Sequence, residues 1–552
     1  MIKKLVSIIA CLTIAFSFSA CRNAADFFKS NDEEKVTYTE SNTVNLQMEK
    51  ARSLNPVISK DEDTFQISKL IYESLFTFDK NLSLVNNLAS DYVYSADKLS
   101  VSITIKNNSY FSDGTNLTAD DVKFSIESYM DAAASNNTIY KDYVSNIKSV
   151  SVEKGNRYLV KIKFKNTNNV AMDHFTFPIL PEHLFKKGSA AKSTSSNFIP
   201  VGSGPYKVES YNDISELKLV ANENYNGTKI KNNLSFTVLP EREDVIPLIE
   251  VNNISIGFLN EMSRDTLIAD KKLNKTNLLS NEAEVIGFNF AKENMANKKL
   301  RQAIAYALDN QAINENAYYK NGVLSDTIYY PGYLGTKNTG DHYKFDLETA
   351  AKLLVSAGFA DRDGNGYLEG ADDKELSIDI LVNSQDQNRV IAAEAVKSSL
   401  DKLKIFNRIV YANGMDEYNA KLNSENYDIF IGGMKINEMY DLRPLLHSDY
   451  SNLIGYSNKK VDTLLDKLKS GISAEEQIKT VESLKEILEE DLPYYCIIYK
   501  TYGALTAKCL QSNEKEYSFN NLYRGCEKWY CKYVVTKTPQ VVDSTDTEEE
   551  PV

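Results

Sequence analysis

Two residue periods alternate along most of this chain, and their alternation limits the folds open to it more than any other feature. Apolar residues recur at every second position over 101–105 and 160–164, which is typical of half-buried strands. Val122, Ile126 and Tyr129 instead recur at helical spacing and share one face of a helix. A chain that mixes both periods in this way predicts a mixed α/β fold.

The sequence also marks where several helices begin. Thr118 and Asp121 have the spacing of a capping box, with Asp in place of the usual Glu. Ser473 and Glu476 form a second such pair ahead of an apolar series over 478–488, and a further apolar series covers 461–468. We therefore expect amphipathic helices at these three places.

The N-terminus has the pattern of a bacterial lipoprotein signal. Two lysines precede an uncharged apolar run from Leu5 to Phe18, which is shorter than the about 20 residues of a membrane-spanning helix. Small residues then lead directly to Cys21, the residue that such signals expose to diacylation after cleavage. The pattern predicts a signal peptide over 1–20, lipidation of Cys21 and a tether over 21–35. The alternative is an ordinary cleaved signal with an incidental cysteine.

Composition and charge limit the partners of the protein. The 552 residues suffice for roughly two or three lobes, and the hydrophobic fraction of 42% is that of an ordinary globular protein. The net charge of −13 argues against a nucleic-acid partner, because neutralising phosphates requires clustered Lys and Arg. Residues 536–552 carry five acids and few apolar side chains, so we expect this tail to be disordered.

Four cysteines lie near the C-terminus, at Cys496, Cys509, Cys526 and Cys531. In an extracellular protein they are compatible with one or two disulfide bridges, and the sequence does not choose among the pairings. Buried thiols are the alternative. A metal site is disfavoured, because no two of the four have the C-x₂-C spacing and no histidine is close in sequence.

Several longer motifs follow one another in a fixed order between Leu54 and Trp529. In chain order they are Leu54-Asn55-Pro56, Ile71-Tyr72-Glu73-Ser74-Leu75, Phe111-Ser112-Asp113-Gly114-Thr115 with Leu117 to Ser125 behind it, Pro200 to Tyr206, Leu300 to Asp309, and Gly455-Tyr456-Ser457-Asn458. With this series the chain resembles the family 5 extracellular solute-binding proteins, the oligopeptide, dipeptide and nickel binders of bacterial ABC importers. Most of the motifs also have a local structural meaning, such as the turn signal Asp113-Gly114.

The resemblance implies a two-lobed fold of the periplasmic-binding-protein type, a "Venus flytrap" with an extra subdomain in its first lobe. The first lobe would comprise 36–57, the extra subdomain 58–180 and a second core part 181–280. Residues 281–489 would form lobe 2, and residues 490–535 would return to lobe 1. Lobe closure over a ligand would desolvate it and complete its hydrogen bonds.

The resemblance also implies a biological setting. We expect a monomer that is anchored by lipid to the extracellular face of the cell membrane, or to its periplasmic side if the source has an outer membrane. It would capture peptides in the interlobe cleft and deliver them to the permease subunits of an ABC transporter. No cofactor is expected.

In the resembling family, ligand contacts cluster in two segments. The first corresponds here to the loop that contains Lys60, Asp61 and Glu62. The second precedes Leu446-His447-Ser448 and supplies the candidates Gly433, Met434, Lys435, Asn437, Glu438 and Asp441.

The second segment departs from the pattern of the family. Met434 replaces the usual Trp, and Asn437 stands where an acid pairs with the peptide amine in oligopeptide binders. Because a charged amine buried in a cleft needs a partner, Glu438 or Asp441 would take over this role. The alternative is that both are solvated loop acids.

One loop resembles the front of a calcium site. Asp361, Asp363 and Asn365 supply oxygens at positions 1, 3 and 5 of the pattern, but position 12 is Asp372 rather than Glu. Similar turns in the family are structural, so we expect no metal site and keep calcium as the alternative. The histidines, at 174, 183, 342 and 447, are too scattered for a local metal motif.

Three function classes remain. The first is nutrient uptake of peptides, which we prefer, and the second is a receptor of the same fold for a short pheromone-like signalling peptide. Binding of another small solute is a further, less favoured alternative. The third is an extracellular hydrolase, which we do not expect, because no segment resembles a catalytic triad, a zincin helix or a paired-carboxylate motif.

Overall fold

A computed structural model describes residues 37–185, 190–193, 198–259, 273–512 and 516–535. Cys21 and the acidic tail lie outside these ranges. No helix in the described part of the chain combines the length and apolar character needed to cross a membrane.

The described chain contains twenty strands and thirteen helices. The strands are β1 (Thr37–Ser41), β2 (Thr43–Glu49), β3 (Phe76–Phe78), β4 (Leu84–Asn86), β5 (Ala89–Tyr94), β6 (Ser100–Ile105), β7 (Ile147–Glu153), β8 (Asn156–Phe164), β9 (Tyr206–Asn212), β10 (Glu216–Ala221), β11 (Asn233–Leu239), β12 (Ile256–Leu259), β13 (Asn274–Phe288), β14 (Gly322–Val323), β15 (Ser377–Asn383), β16 (Phe406–Ala412), β17 (Ile429–Lys435), β18 (Tyr494–Thr506), β19 (Leu510–Gln511) and β20 (Tyr530–Val535). The helices are α1 (Glu62–Ile71), α2 (Ala119–Ala134), α3 (Lys141–Val144), α4 (Val245–Glu250), α5 (Glu293–Ala296), α6 (Lys298–Tyr306), α7 (Asn310–Ala317), α8 (Leu347–Ser356), α9 (Gln387–Lys402), α10 (Met415–Asn423), α11 (Arg443–Leu446), α12 (Lys459–Lys469) and α13 (Ala474–Asp491). The predicted mixture of strands and helices is confirmed.

Two compact units divide the chain. The small unit joins both chain ends, and its described residues are β1 and residues 532–535. Within it, Lys532 Nζ lies 4.5 Å from the ring centroid of Tyr38. The large unit, residues 42–531, contains all the sites described below.

The predicted strands and helix starts are found in the large unit. Both period-two series lie on neighbouring strands, β6 and β8, of a four-stranded antiparallel sheet with the order β5-β6-β8-β7, and their apolar residues are buried. Thr118 with Asp121 and Ser473 with Glu476 each form both hydrogen bonds of a capping box. One detail differs, because Ile478 of the apolar series on α13 is 36% exposed.

A seven-stranded sheet connects the two lobes. Its order is β12-β18-β13-β17-β15-β16, with β14 attached to β18. The long strands β13 and β18 run antiparallel from the pair Asn274–Thr506 to the pair Gly287–Tyr494, with register shifts after Leu279 and Glu284. These two strands therefore carry the chain from one lobe to the other in both directions.

The buried clusters locate the passage between the lobes. Leu278 on β13 and Ala504 on β18 belong to the first-lobe core. Ala283 and Tyr499 already belong to a second-lobe core. The lobe boundaries derived from the sequence stay predictions; in the structure, β18 enters the first core after Tyr499, later than the expected return at residue 490.

The turn at 200–206 shows why two glycines stand in its motif. Gly204 N donates to Ile71 O at 2.8 Å, so the turn lies directly against the end of α1. A Cβ on Gly202 would lie 2.0 Å from Ile71 O, and one on Gly204 would lie 2.6 Å from Leu70 O. Only glycine permits this approach, which fixes the position of α1 and of the residues at its start.

Candidate functional site

A cavity of about 220 Å³ lies where the start of α1 faces the end of β17. We call it the cleft cavity. Its first-lobe wall includes Lys60, Asp61 and Glu62, and its second-lobe wall includes Lys435, Asn437 and Glu438. Six of the nine ligand-binding candidates from the sequence therefore meet around one cavity, although the two groups lie more than 370 positions apart in sequence.

The charged groups that line the cleft cavity have both signs, with two lysines and four acids. Lys435 Nζ lies 4.0 Å from Glu62 Oε2 and 3.7 Å from Glu282 Oε1. Lys60 Nζ donates to the carbonyl of Asn136 at 3.3 Å. Asp61 Oδ2 accepts a hydrogen bond from Arg52 N at 3.1 Å. A lining that offers both cations and anions is suited to a zwitterionic ligand.

Aromatic rings supply the apolar part of the lining. They come from Phe65, Tyr140, Tyr143, Tyr502 and Phe519. The Phe65 and Tyr140 ring centroids lie 6.5 Å apart, which is within the range of favourable ring pairs. Rings of this kind bind apolar ligand atoms without selecting among them.

Glu438 is the most deeply buried acid in this lining, with 6% of its side chain exposed. Its Oε2 pairs with Lys69 Nζ at 2.9 Å, and this pair connects the loop after β17 to α1. Lys69 Nζ also donates to the carbonyl of Asn520 and lies 4.0 Å from the ring centroid of Phe65. Within the described chain Glu438 Oε1 accepts no hydrogen bond, so it remains open to a donor in the cavity.

A smaller inner cavity of about 70 Å³ adjoins the cleft cavity, and Tyr140, Glu438 and Asn520 line both. Glu73 also lines the inner cavity. Burial raises the pKa of Glu73 to about 7, although the positive charge of Lys106 acts in the opposite direction. The sequence marked Glu73 only as part of a motif and not as a site residue.

The raised pKa of Glu73 predicts a pH dependence of stability. Because the folded state holds this proton more tightly than the unfolded state, the unfolding free energy falls as pH rises from about 4.5 to about 7. We expect this group to contribute a loss of about 2–3 kcal/mol over that interval. Urea unfolding at pH 5 and pH 8 measures the loss, and Glu73→Gln should reduce it by that amount. An equal loss in wild type and variant would contradict the prediction.

Asp441 lies in the same segment but outside the lining of the cleft cavity. Arg443 binds it with two hydrogen bonds, Nε to Oδ1 at 2.9 Å and Nη2 to Oδ2 at 2.6 Å. Burial by itself raises the pKa of Asp441, but Arg443 and Lys469 outweigh burial and lower the pKa to about 2. Both acids thus have a cationic partner, but of the two only Glu438 lines the cleft cavity.

Gly433 and Met434 also lie outside the lining of the cleft cavity, among the residues that the structure describes. A Cβ on Gly433 would lie 2.2 Å from Arg389 Nη2, so glycine makes room for that guanidinium. Met434 packs against a second-lobe core. Both residues therefore lie beside the cleft cavity in sequence and do not line it.

Arg389 belongs to a buried ion network beside the crossing strands. Its Nε and Nη2 donate to Glu284 Oε2 and Oε1 at 2.8 and 3.0 Å, and Lys500 Nζ lies 2.8 Å from Oε1. Burial would raise the pKa of Glu284, but the two cations outweigh it and hold the pKa below its ordinary value. This network was not identified from the sequence, because its members lie on three distant segments.

The acids that lie close enough together to hold a metal ion, within the described ranges, are Asp361, Asp363 and Glu369. Asp372, the fourth ligand considered from the sequence, pairs instead with Lys374 at 2.7 Å.

The four C-terminal cysteines are buried, and the sulfur atoms of Cys509 and Cys531 lie 3.6 Å apart.

Several lining residues were missed by sequence reasoning. They are Phe65, Lys69, Tyr140, Tyr143, Asn281, Tyr502, Phe519 and Asn520. No local pattern distinguishes these residues from core or surface residues, since only the folded chain brings them to one place. Phe65 and Lys69 could have been found from their helical spacing to Glu62 on the predicted binding segment.

Comparison with known proteins gives a family match over most of the chain. Residues 83–453 match the family model described as bacterial extracellular solute-binding proteins, family 5 middle. The oligopeptide-binding protein AppA of Bacillus subtilis is 26% identical over 503 residues, which cover 86% of this chain and 89% of that protein.

Solved structures agree with this match. The structure of NikZ from Campylobacter jejuni in complex with Ni(L-His) has a TM-score of 0.61 and 25% identity, covering 89% of this chain and 99% of that one. The unliganded open form of the periplasmic murein tripeptide-binding protein MppA has a TM-score of 0.74 at 17% identity, covering 91% of this chain and 99% of that one. The predicted two-lobed fold of periplasmic binding proteins is confirmed.

Proposed function

Because this chain belongs to the family 5 bacterial extracellular solute-binding proteins, we propose that it captures peptides in the cleft between its lobes and delivers them to an ABC importer. Proteins of this family bind solutes and are not enzymes, as the sequence predicted. Peptides as the ligand and a permease as the partner are the parts that we propose.

The observation that carries the proposal is the lining of the cleft cavity. A peptide presents an ammonium, a carboxylate, amide groups and varied side chains. The cavity offers a buried carboxylate at Glu438, ammonium groups at Lys60 and Lys435, and five aromatic rings. The ammonium, the carboxylate and the apolar side chains of a peptide therefore each have a partner in the lining.

The size of the cavity adds a conformational requirement. Its volume of about 220 Å³ is below the about 300–1,000 Å³ of typical ligand sites. A peptide therefore enters only if the lobes move apart, and the crossing strands β13 and β18 are the segments that would bend. The pair between Lys69 and Glu438 would break and re-form in each cycle.

Incubation with a defined peptide mixture tests the function. After rapid desalting, mass spectrometry of the retained material should recover intact peptides that the input contains. Cleaved products would instead support an extracellular hydrolase, and retention of none of the peptides would contradict the proposal.

Two other ligands compete with nutrient peptides. A pheromone-like signalling peptide would use the same cleft, and enrichment of a single sequence from the mixture would favour it. Another small solute is the second alternative, since the related NikZ was solved with Ni(L-His). Retained Ni(L-His) together with rejected peptides would favour that alternative.

We also propose that Cys21 anchors the protein by lipid to the outer face of the cell membrane and that the protein is a monomer. The support is the sequence pattern before Cys21, which lies outside the described residues. An anchored tether would hold the lobes near the permease that receives the ligand.

Cys21→Ala should release the protein from the membrane fraction into the medium or leave it as uncleaved precursor, because the acylated thiol is missing. Metabolic labelling with palmitate and cell fractionation measure both outcomes. Palmitate that enters the variant as efficiently as the wild type would refute the lipidation of Cys21.

A further inference from the structure

A surface loop of the second lobe places three carboxylates together. The loop connects α8 to β15, and isolated bridges pair Ala360 with Glu369 and Glu369 with Glu375. The loop is thus closed at its base by backbone hydrogen bonds in both directions between Ala360 and Glu369, at 3.1 and 2.9 Å. It is separate from the residues that line the cleft cavity.

One oxygen of each of Asp361, Asp363 and Glu369 lies within 4.8 Å of the others. Three negative groups at this separation repel one another unless a cation lies between them. The ammonium closest to the group belongs to Lys404, whose Nζ is 3.9 Å from Asp361 Oδ2. The Arg362 guanidinium donates instead to the carbonyls of Gly370 and Gly358, at 3.1 and 2.9 Å.

Two of these carboxylates also carry a buried oxygen without a hydrogen-bond partner. Glu369 is only 3% exposed, and its Oε2 accepts from Arg362 N at 2.6 Å while its Oε1 has no partner. Asp361 Oδ1 is buried and unpartnered as well. Buried polar atoms in folded proteins are nearly always satisfied, so these two oxygens are available to bind a cation.

We propose that this loop binds one Ca²⁺ ion through Asp361, Asp363 and Glu369, with water completing the coordination. All the donors are oxygens, which favours Ca²⁺ over the nitrogen- and sulfur-seeking transition metals. The donors come from one surface loop, which suits the flexible geometry of Ca²⁺ better than the strict octahedron of Mg²⁺. In this proposal Glu369 is the ligand in place of Asp372, which the sequence pattern had suggested.

Terbium luminescence tests the site on the full chain, because Tb³⁺ occupies calcium sites and is sensitised by a nearby tyrosine. Tyr367 lies within the same loop. Excitation of tyrosine should give saturable Tb³⁺ emission that Ca²⁺ displaces, with an affinity for Ca²⁺ in the about 10⁻⁴–10⁻³ M range of extracellular sites.

Variants distinguish cation binding at this site from nonspecific attraction of cations to an acidic protein. Asp363→Asn and Glu369→Gln should each weaken binding at least about tenfold, since each removes one charged ligand. Asp372→Asn is the matched control, because it removes a charge from the same loop outside the cluster, and its affinity should stay within about twofold of wild type. If Glu369→Gln fails to fold, the exposed Asp363 provides the deciding variant.

Melting curves provide a second readout. Millimolar Ca²⁺ should raise the melting temperature of the wild type and of Asp372→Asn by more than it raises that of Asp363→Asn. Absence of sensitised emission in the wild type would overturn the proposal. Equal weakening by Asp372→Asn and Asp363→Asn would overturn it as well.

Discussion

Arg389→Met lowers the free energy of unfolding by about 3–5 kcal/mol, because it removes two hydrogen bonds and one cation from the buried carboxylate of Glu284. Only 1% of the Glu284 side chain is exposed, and Arg389 supplies two of its hydrogen bonds. Lys500 remains after the substitution, at 2.8 Å from a single oxygen. Urea unfolding measures the effect: the midpoint concentration of urea should fall, while the dependence of the unfolding free energy on urea concentration should not change.

Arg408→Met is the matched control for this prediction. Arg408 binds Asp379 in the same two-bond geometry, with Nε to Oδ1 at 2.6 Å and Nη2 to Oδ2 at 2.7 Å. The Arg408 side chain is 68% exposed, so solvent screens the pair, and its loss should lower the free energy of unfolding much less than the loss of Arg389 does. If the two variants were destabilised equally, burial of Glu284 would not be the reason for the loss.

Glu438→Gln is the second substitution with a large expected effect. If Glu438 Oε1 binds the N-terminal ammonium of a peptide in the closed cleft, removing its charge should cost about 2–5 kcal/mol of binding free energy. This corresponds to roughly 30- to 4,000-fold in affinity. Isothermal titration with a peptide recovered from the purified protein measures the loss.

An N-acetylated form of the same peptide distinguishes two roles of Glu438. Loss of the amine contact affects only the free-amine peptide, whereas loss of the pair with Lys69 affects both peptides equally. Asp142→Asn is the control, because it removes an exposed acid from the same cavity and should change affinity less than about fivefold. Equal losses for both peptides would show that Glu438 holds the lobes together and does not bind the amine.

Much of the fold was predictable because its signals are local. The period-two strands near residues 103 and 162 and both capping boxes depend on residues within one turn or strand of each other. Such patterns reflect backbone hydrogen bonding and one-sided burial, which a sequence expresses directly. The crossing of β13 and β18 was harder to locate, because it depends on a register shift after Leu279.

The site was predictable only in part. Family resemblance indicated both charged segments, and the structure brings Lys60 and Glu438 to one cavity. It did not distinguish Glu438 from Asp441, because the difference lies in how each acid is bound. Arg443 binds both oxygens of Asp441, whereas Lys69 binds one oxygen of Glu438, which also lines the cavity. The buried charge of Glu284 and the raised pKa of Glu73 depend on burial, which no short stretch of sequence expresses.

Hydrogen exchange, measured with and without a bound peptide, tests the central claim most directly. Peptide capture between the lobes requires that both walls of the cleft cavity become protected together. Segments 60–69 and 435–440, on opposite lobes, should therefore exchange more slowly in the complex, while the loop at 361–369 should be unchanged. Protection confined to one lobe, or located away from both segments, would contradict binding in the interlobe cleft.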